Sequence, residues 1–183
     1  MAAFRVLLPV LLGLLLLAFA PREAEAATAK EINQAADLAL QSFVRQTPGA
    51  KDLALKAAGI LVFPSVIKAG VGFGGEYGEG VLIVHRQIHG YYNLVSASFG
   101  FQLGVQSRSV IIMFMTDQAL RSFERTAGWK VGVDGSIAVV TLGAAGAIDT
   151  ETLTSPVIAF IIDPKGLMYN LSLEGSKISR IQR

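Results

Sequence analysis

Apolar positions recur at helical period near the start of this chain and at strand period over most of the remainder. Ile32, Ala35, Ala36, Ala39, Leu40, Phe43 and Val44 share one face of a helix, so the spacing predicts a helix over about 29–45. Thr28 followed by Glu31 is a capping-box pattern, which puts Thr28 at the N-cap. Pro48-Gly49 stops that helix, and a shorter one is expected from about Lys51 to Ala58, ended by Gly59. From Ile60 the pattern changes. The runs ILVF, VLIVHR, YYNLVSASF, SVIIMFM, SIAVVTL, VIAFII and LMYNLSL are short, β-branched and aromatic, and glycines or turn residues separate most of them. Asp163-Pro164-Lys165-Gly166 reads as a tight turn between the last two. One helix interrupts the series, capped by Thr116 or Asp117, with Leu120 and Phe123 on its apolar side and Gly128 at its end. Helices first and mostly consecutive strands afterwards predict an α+β fold. N-terminal helices should pack on a largely antiparallel, strongly twisted or barrel-like sheet with one inserted helix.

The first residues are different in kind. Arg5 precedes an apolar run, Val6 to Ala20, and a small-residue pattern follows at Ala24-Glu25-Ala26. A membrane-spanning helix needs roughly 20 apolar residues. This run is shorter and contains Pro9 and Gly13. The order of charge, apolar run and A-x-A is that of a signal peptide over 1–26, with cleavage after Ala26. An uncleaved anchor is the rival reading. The expected product is exported, periplasmic or secreted, and peripheral to membrane. Residues 27–183 contain no long linker, repeat or low-complexity tract and read as a single domain, with its core over 59–183.

Removing 1–26 takes away two cations (Arg5, Arg22) and two anions (Glu23, Glu25), so the net charge stays at +2. That is too small to suggest nucleic acid. With no cysteine, disulfides, thiolate metal sites and a cysteine nucleophile are excluded. The domain must hold through its core alone.

Most motif-like features have a structural explanation. Gly70, Gly72 and Gly75 spell G-x-G-x-x-G, but a dinucleotide site needs a helix opening at the third glycine. Here Gly80 leads into Val81-Leu82-Ile83-Val84, which is strand. Glycines in such a strand suit a sharp bend or the close approach of another backbone. His85 and His89 are four apart, a metal spacing only on a helix, and their context is a strand entering a turn at Gly90. Glu76 and Glu79, and likewise Asp149 and Glu151, read as solvated loop charges. No G-x-S-x-G elbow is present. Neither catalysis, nor a metal, nor a cofactor is expected. The informative charges are Arg45, Lys51, Lys56 and Lys68, set against Asp52 alone between Arg45 and Lys68. Such a cluster beside an apolar helix suits anionic head groups. The first helix is not itself strongly basic, however, and packing on its own sheet is the commoner fate of its apolar face.

Gly59-Ile60-Leu61-Val62-Phe63-Pro64-Ser65, Lys68-Ala69-Gly70-Val71-Gly72 and Gly80-Val81-Leu82 resemble the opening of the SYLF-domain family. Gln102 to Ser107 and Phe114-Met115-Thr116-Asp117 are similar to its middle, and Ser172-Leu173-Glu174-Gly175-Ser176 to its closing signature. The resemblance implies a non-enzymatic lipid-binding module. In eukaryotic members an amphipathic segment and nearby basic residues are held to contact phosphoinositides, and some members are associated with actin. It points to Lys68 within Ser-x-x-Lys-Ala-Gly. The chain departs from the family pattern before Gly59, where it has Ala58 and places Lys56 two residues earlier. The expected partner is therefore an anionic phospholipid membrane in the cell envelope. The alternatives are an envelope scaffold pairing with a protein partner, or an enzyme with an unrecognised site. Actin is not expected for an exported chain.

Overall fold

The structure, a computed structural model, describes residues 27–142, 154–165, 173 and 175–183. The expected signal segment, Asp149, Glu151 and most of LMYNLSL lie outside the described residues. The first helix, α1 (Ala29–Gln46), begins with the capping box. The Glu31 carboxylate accepts from the Thr28 backbone N–H at 2.8 Å, while the Thr28 hydroxyl accepts from the Glu31 backbone N–H at 3.3 Å. That pair satisfies two donors that a helix start otherwise leaves open. A left-handed Gly49 then leads into α2 (Ala50–Lys56).

The sheet is built around two very long strands, β1 (Gly59–Val84) and β2 (Gln87–Phe114). Four of the short runs expected as separate strands are joined within these two, because the glycine segment between them is itself strand. After β2 come α3 (Asp117–Arg125, N-cap Thr116) and β3 (Trp129–Lys130). The chain continues through β4 (Ala138–Thr141), β5 (Val157–Lys165) and β6 (Lys177–Ile181). Strand order is β3-β6-β2-β5-β4, with β1 also paired to β2. Among the described strand pairs only β4 and β5 run parallel, so the α+β, largely antiparallel expectation holds.

The tight turn expected at 163–166 is not formed over its first three residues. Lys165 pairs with Ser107 and Ile162 with Ser109, so Asp163 and Pro164 sit together at a bulge opposite Arg108. Proline lacks the N–H that a regular ladder needs, and a bulge tolerates it.

Two cores lie on opposite faces of the sheet. On one face Ile32, Ala36 and Phe43 of α1 and Leu53 of α2 cover Val62, Ile111, Met113 and Phe160. The Phe43 and Phe160 ring centroids are 4.7 Å apart. Full burial of each such side chain contributes about 1.5–3 kcal/mol, so α1 is held by its apolar stripe. On the other face the curled sheet, α3, Trp129 and Leu173 enclose Leu61, Phe63, Leu82, Leu94, Val110 and Ile112. The curl brings one end of β1 over the other: a Cβ on Gly78 would lie 2.8 Å from the Ser65 carbonyl oxygen.

Candidate functional site

The four basic residues singled out from the sequence separate into two groups. Arg45, Lys51 and Lys56 are exposed on α1 and α2. Among the described residues none of them has a carboxylate within ion-pair distance. Lys68 is different. It is 4% exposed, and its Nζ lies 3.3 Å from Oε1 of Glu76. The Arg108 guanidinium donates to Oε2 of the same carboxylate at 2.7 Å. The cause is strand alternation. Val66 faces the inner core, and Lys68, two residues on, points the same way. A head-group contact at Lys68 is therefore not available on this surface. Burial pulls the Arg108 guanidinium below its ordinary range, with the Glu76 charge opposing the shift.

Glu76 and Glu79 are not solvated loop charges either. They occupy opposite faces of β1, so they cannot work as an acid–base pair. Glu79 accepts from the Tyr77 hydroxyl at 2.6 Å and is ion-paired with Arg183. Burial alone would raise the Glu79 carboxyl, but the bonds from Arg183 and Tyr77 outweigh it and hold the group below the usual carboxylate range. A depressed carboxylate contributes stability that is complete above its unfolded pKa and is lost as pH falls through the folded one. The urea midpoint of wild type should thus exceed that of Glu79→Gln at neutral pH. The gap should begin to narrow as pH falls below about 4 and disappear once the folded carboxyl is protonated; a gap that does not narrow in acid would mean the ion pair is not its source.

The end of the β1–β2 hairpin supplies what the sequence did not show. Val84 pairs with Gln87, leaving His85 and Arg86 as a two-residue loop. Both have positive φ, 48° and 64°. That is the type I′ geometry, which ordinarily takes Asn-Gly; other residues there store about 1–3 kcal/mol of strain each. The expected turn at Gly90 is instead strand. His89 is the extra residue of a bulge between the Leu82–Gly90 and Ile83–Ile88 pairs, and its Nδ1 lies 2.6 Å from Glu124 on α3. The two histidines have separate roles, and among the described residues no three His, Asp or Glu side chains come together.

The hairpin end reaches the two helices. A cleft of about 390 Å³ is walled by Leu40 and Val44 of α1, Ala54 and Leu55 of α2, and Ile60 and Ile83 of β1. Lys51, His85 and Arg86 also line it. Leu55 is 63% exposed, and Ile88, the cross-strand partner of Ile83, is 52% exposed. Lys56 and Arg45 stand on the same helices but are not among the residues lining the cleft. The arrangement sets exposed apolar side chains among unpaired cations, with an apolar recess between them.

A family model for Ysc84, described as a Las17-binding protein actin regulator, matches residues 95–183. An SH3 domain-containing protein of Schizosaccharomyces pombe is 34% identical over 152 residues, covering 75% of this chain and 35% of that protein. Protein YSC84 of Saccharomyces cerevisiae is 31% identical over 153 residues, 76% of this chain and 32% of its own length. An SH3 domain-containing YSC84-like protein of Xenopus laevis is 29% identical over 127 residues, 66% and 37% respectively. The chain spans about a third of the length of the curated relatives it matches.

Proposed function

Because the chain belongs to the Ysc84, or SYLF, family, we propose that it is a non-enzymatic module that binds anionic phospholipid surfaces of the cell envelope, from the outside of an exporting membrane. The observation that carries the reading is the cleft at which Lys51 and Arg86, with no carboxylate in ion-pair range among the described residues, stand beside the exposed Leu55, with exposed Arg45 and Lys56 on the same two helices. Each Lys or Arg near an anionic surface contributes about 1 kcal/mol, and exposed apolar side chains add an interfacial contact. The apolar stripe of α1 takes no part, since the sheet covers it. Among the described residues no helix is long and apolar enough to cross a membrane. The contact proposed is peripheral.

The actin regulation associated with the family is not carried over, because the exported location proposed here would separate this chain from actin. Co-sedimentation with vesicles tests the reading. Replacing Arg45, Lys51 and Lys56 together by Gln should cost up to about 3 kcal/mol on anionic vesicles, roughly two orders of magnitude in affinity. Neutral vesicles should be scarcely affected. Raising the salt to 1 M, where the Debye length is about 3 Å, should reproduce most of the loss. A folded triple variant that sediments with anionic vesicles as wild type does would instead favour an envelope scaffold that ignores lipid.

A further inference from the structure

We infer that the cleft between α2 and the β1–β2 hairpin is a binding site for one anionic phospholipid molecule, taking an acyl chain into its apolar recess and the phosphate onto Lys51 and Arg86. The inference rests on the membrane reading above and narrows it: the face does not merely lie on a charged surface but takes hold of a single lipid. A volume of about 390 Å³ lies within the range of about 300–1,000 Å³ usual for small-molecule sites. Its walls are Leu40, Val44, Ala54, Leu55, Ile60 and Ile83, hydrocarbon throughout, and its charged rim is cationic only. Lys51 and Arg86 have no carboxylate in ion-pair range among the described residues, so their charge is available to a ligand. This match of apolar floor and cationic rim selects an amphiphile with an anionic head.

A second observation is independent of the cleft. Arg86 is held at φ 64°, where glycine would be at ease, and the strain falls on a residue that lines the cleft. The larger groove, about 520 Å³ between the start of α1 and the bend of β1, has no lysine or arginine among its lining residues and carries Glu31 and Glu79. Its two carboxylates make it the poorer match for an anionic head group.

The test uses soluble single-chain probes, hexyl, octyl and decyl phosphate, each below its micelle concentration, titrated calorimetrically into the whole chain. Affinity should rise about fourfold per methylene until the recess is full. Inorganic phosphate and octyl glucoside should bind far more weakly than octyl phosphate. Arg86→Gly relieves the turn, so it should raise the unfolding midpoint while weakening octyl phosphate at least tenfold. Ala54→Trp should block the chain; if that variant does not fold, Arg86→Gly decides. Inorganic phosphate binding as tightly as octyl phosphate would reduce the site to an anion contact and overturn the inference. Equal binding of octyl glucoside, or an unchanged affinity in Arg86→Gly, would overturn it as well. Anionic vesicles sedimenting with a wild type that ignores every alkyl phosphate would sink the single-lipid site and leave the membrane reading standing. Alkyl phosphate binding without vesicle binding would do the reverse.

Discussion

Replacing Glu76 by Gln is expected to lower the unfolding free energy by about 3–5 kcal/mol, the usual cost of removing one partner from a buried ion pair. Domains of ordinary size are stable by only about 5–15 kcal/mol, so the variant should be partly unfolded near physiological temperature. The carboxylate is 4% exposed, and both the Lys68 ammonium and the Arg108 guanidinium converge on it. Inside the curled sheet the Glu76 charge offsets part of the cost of desolvating these cations. Urea denaturation followed by circular dichroism reads the loss directly. A companion variant separates charge from packing: Lys68→Met, Glu76→Leu and Arg108→Met together should recover much of the stability, since apolar replacements of buried ion clusters are often neutral or better. A Glu76→Gln midpoint within experimental scatter of wild type would show that the cluster is solvated in solution. The head-group role that the family resemblance implies for Lys68 would then be open to test by vesicle binding of Lys68→Gln.

That cluster also shows where sequence reading stops. Lys51, Lys56 and Lys68 look alike as members of one basic segment, and only their backbone tells them apart. Lys51 and Lys56 fall on a short helix whose apolar side is Leu53, so they stay in water. Lys68 falls on a strand in phase with Val66, and alternation turns it inward. The period-2 signal was present in Val66-x-Lys68, but glycines obscure it over the following residues because they carry no side chain to mark a face. The same glycines made one long strand look like two short ones.

α1 was legible because its evidence is local. A capping box and seven apolar positions at helical period need no knowledge of the rest of the chain, and the structure realises both. The candidate cleft was not legible for the opposite reason. It joins residues 40–60 to 83–86 through a turn made by His85-Arg86, a pair that lacks the Asn or Gly by which a type I′ hairpin is ordinarily recognised. Similarly, Glu79 meets Arg183 across 104 residues of sequence, and no spacing rule brings such a pair together.

Gly80→Val should be among the most damaging single substitutions in the chain, with an expected loss exceeding about 3 kcal/mol, the upper end for ordinary core overpacking. A Cβ at Gly80 would meet the Val62 carbonyl oxygen and lie 2.6 Å from the Phe63 ring. The first neighbour is backbone in the middle of a ladder, where β1 pairs with β2, so it cannot swing aside as a side chain can. Relief would require β1 to uncurl, and uncurling would open the core built on Phe63, Leu82 and Val110. Gly75→Ala is the control. It lies in the same strand, yet its nearest heavy atom would be the Ser96 carbonyl oxygen at 3.6 Å, an ordinary contact. Alanine there should be neutral or stabilising by about 0.4–1 kcal/mol, through the lower entropy of the unfolded chain. Thermal unfolding of the two variants should therefore move in opposite directions or differ widely. Equal shifts would mean that glycine in this segment serves flexibility in general and that the crossing of β1 over itself is not what demands it. The crossing bears on function as well, since Val81 to Val84 leave it directly for the hairpin end. If Gly80→Val folds at all, the geometry of Ile83, His85 and Arg86 at the cleft should be lost with the curl, and vesicle binding should fall although no cation has been removed.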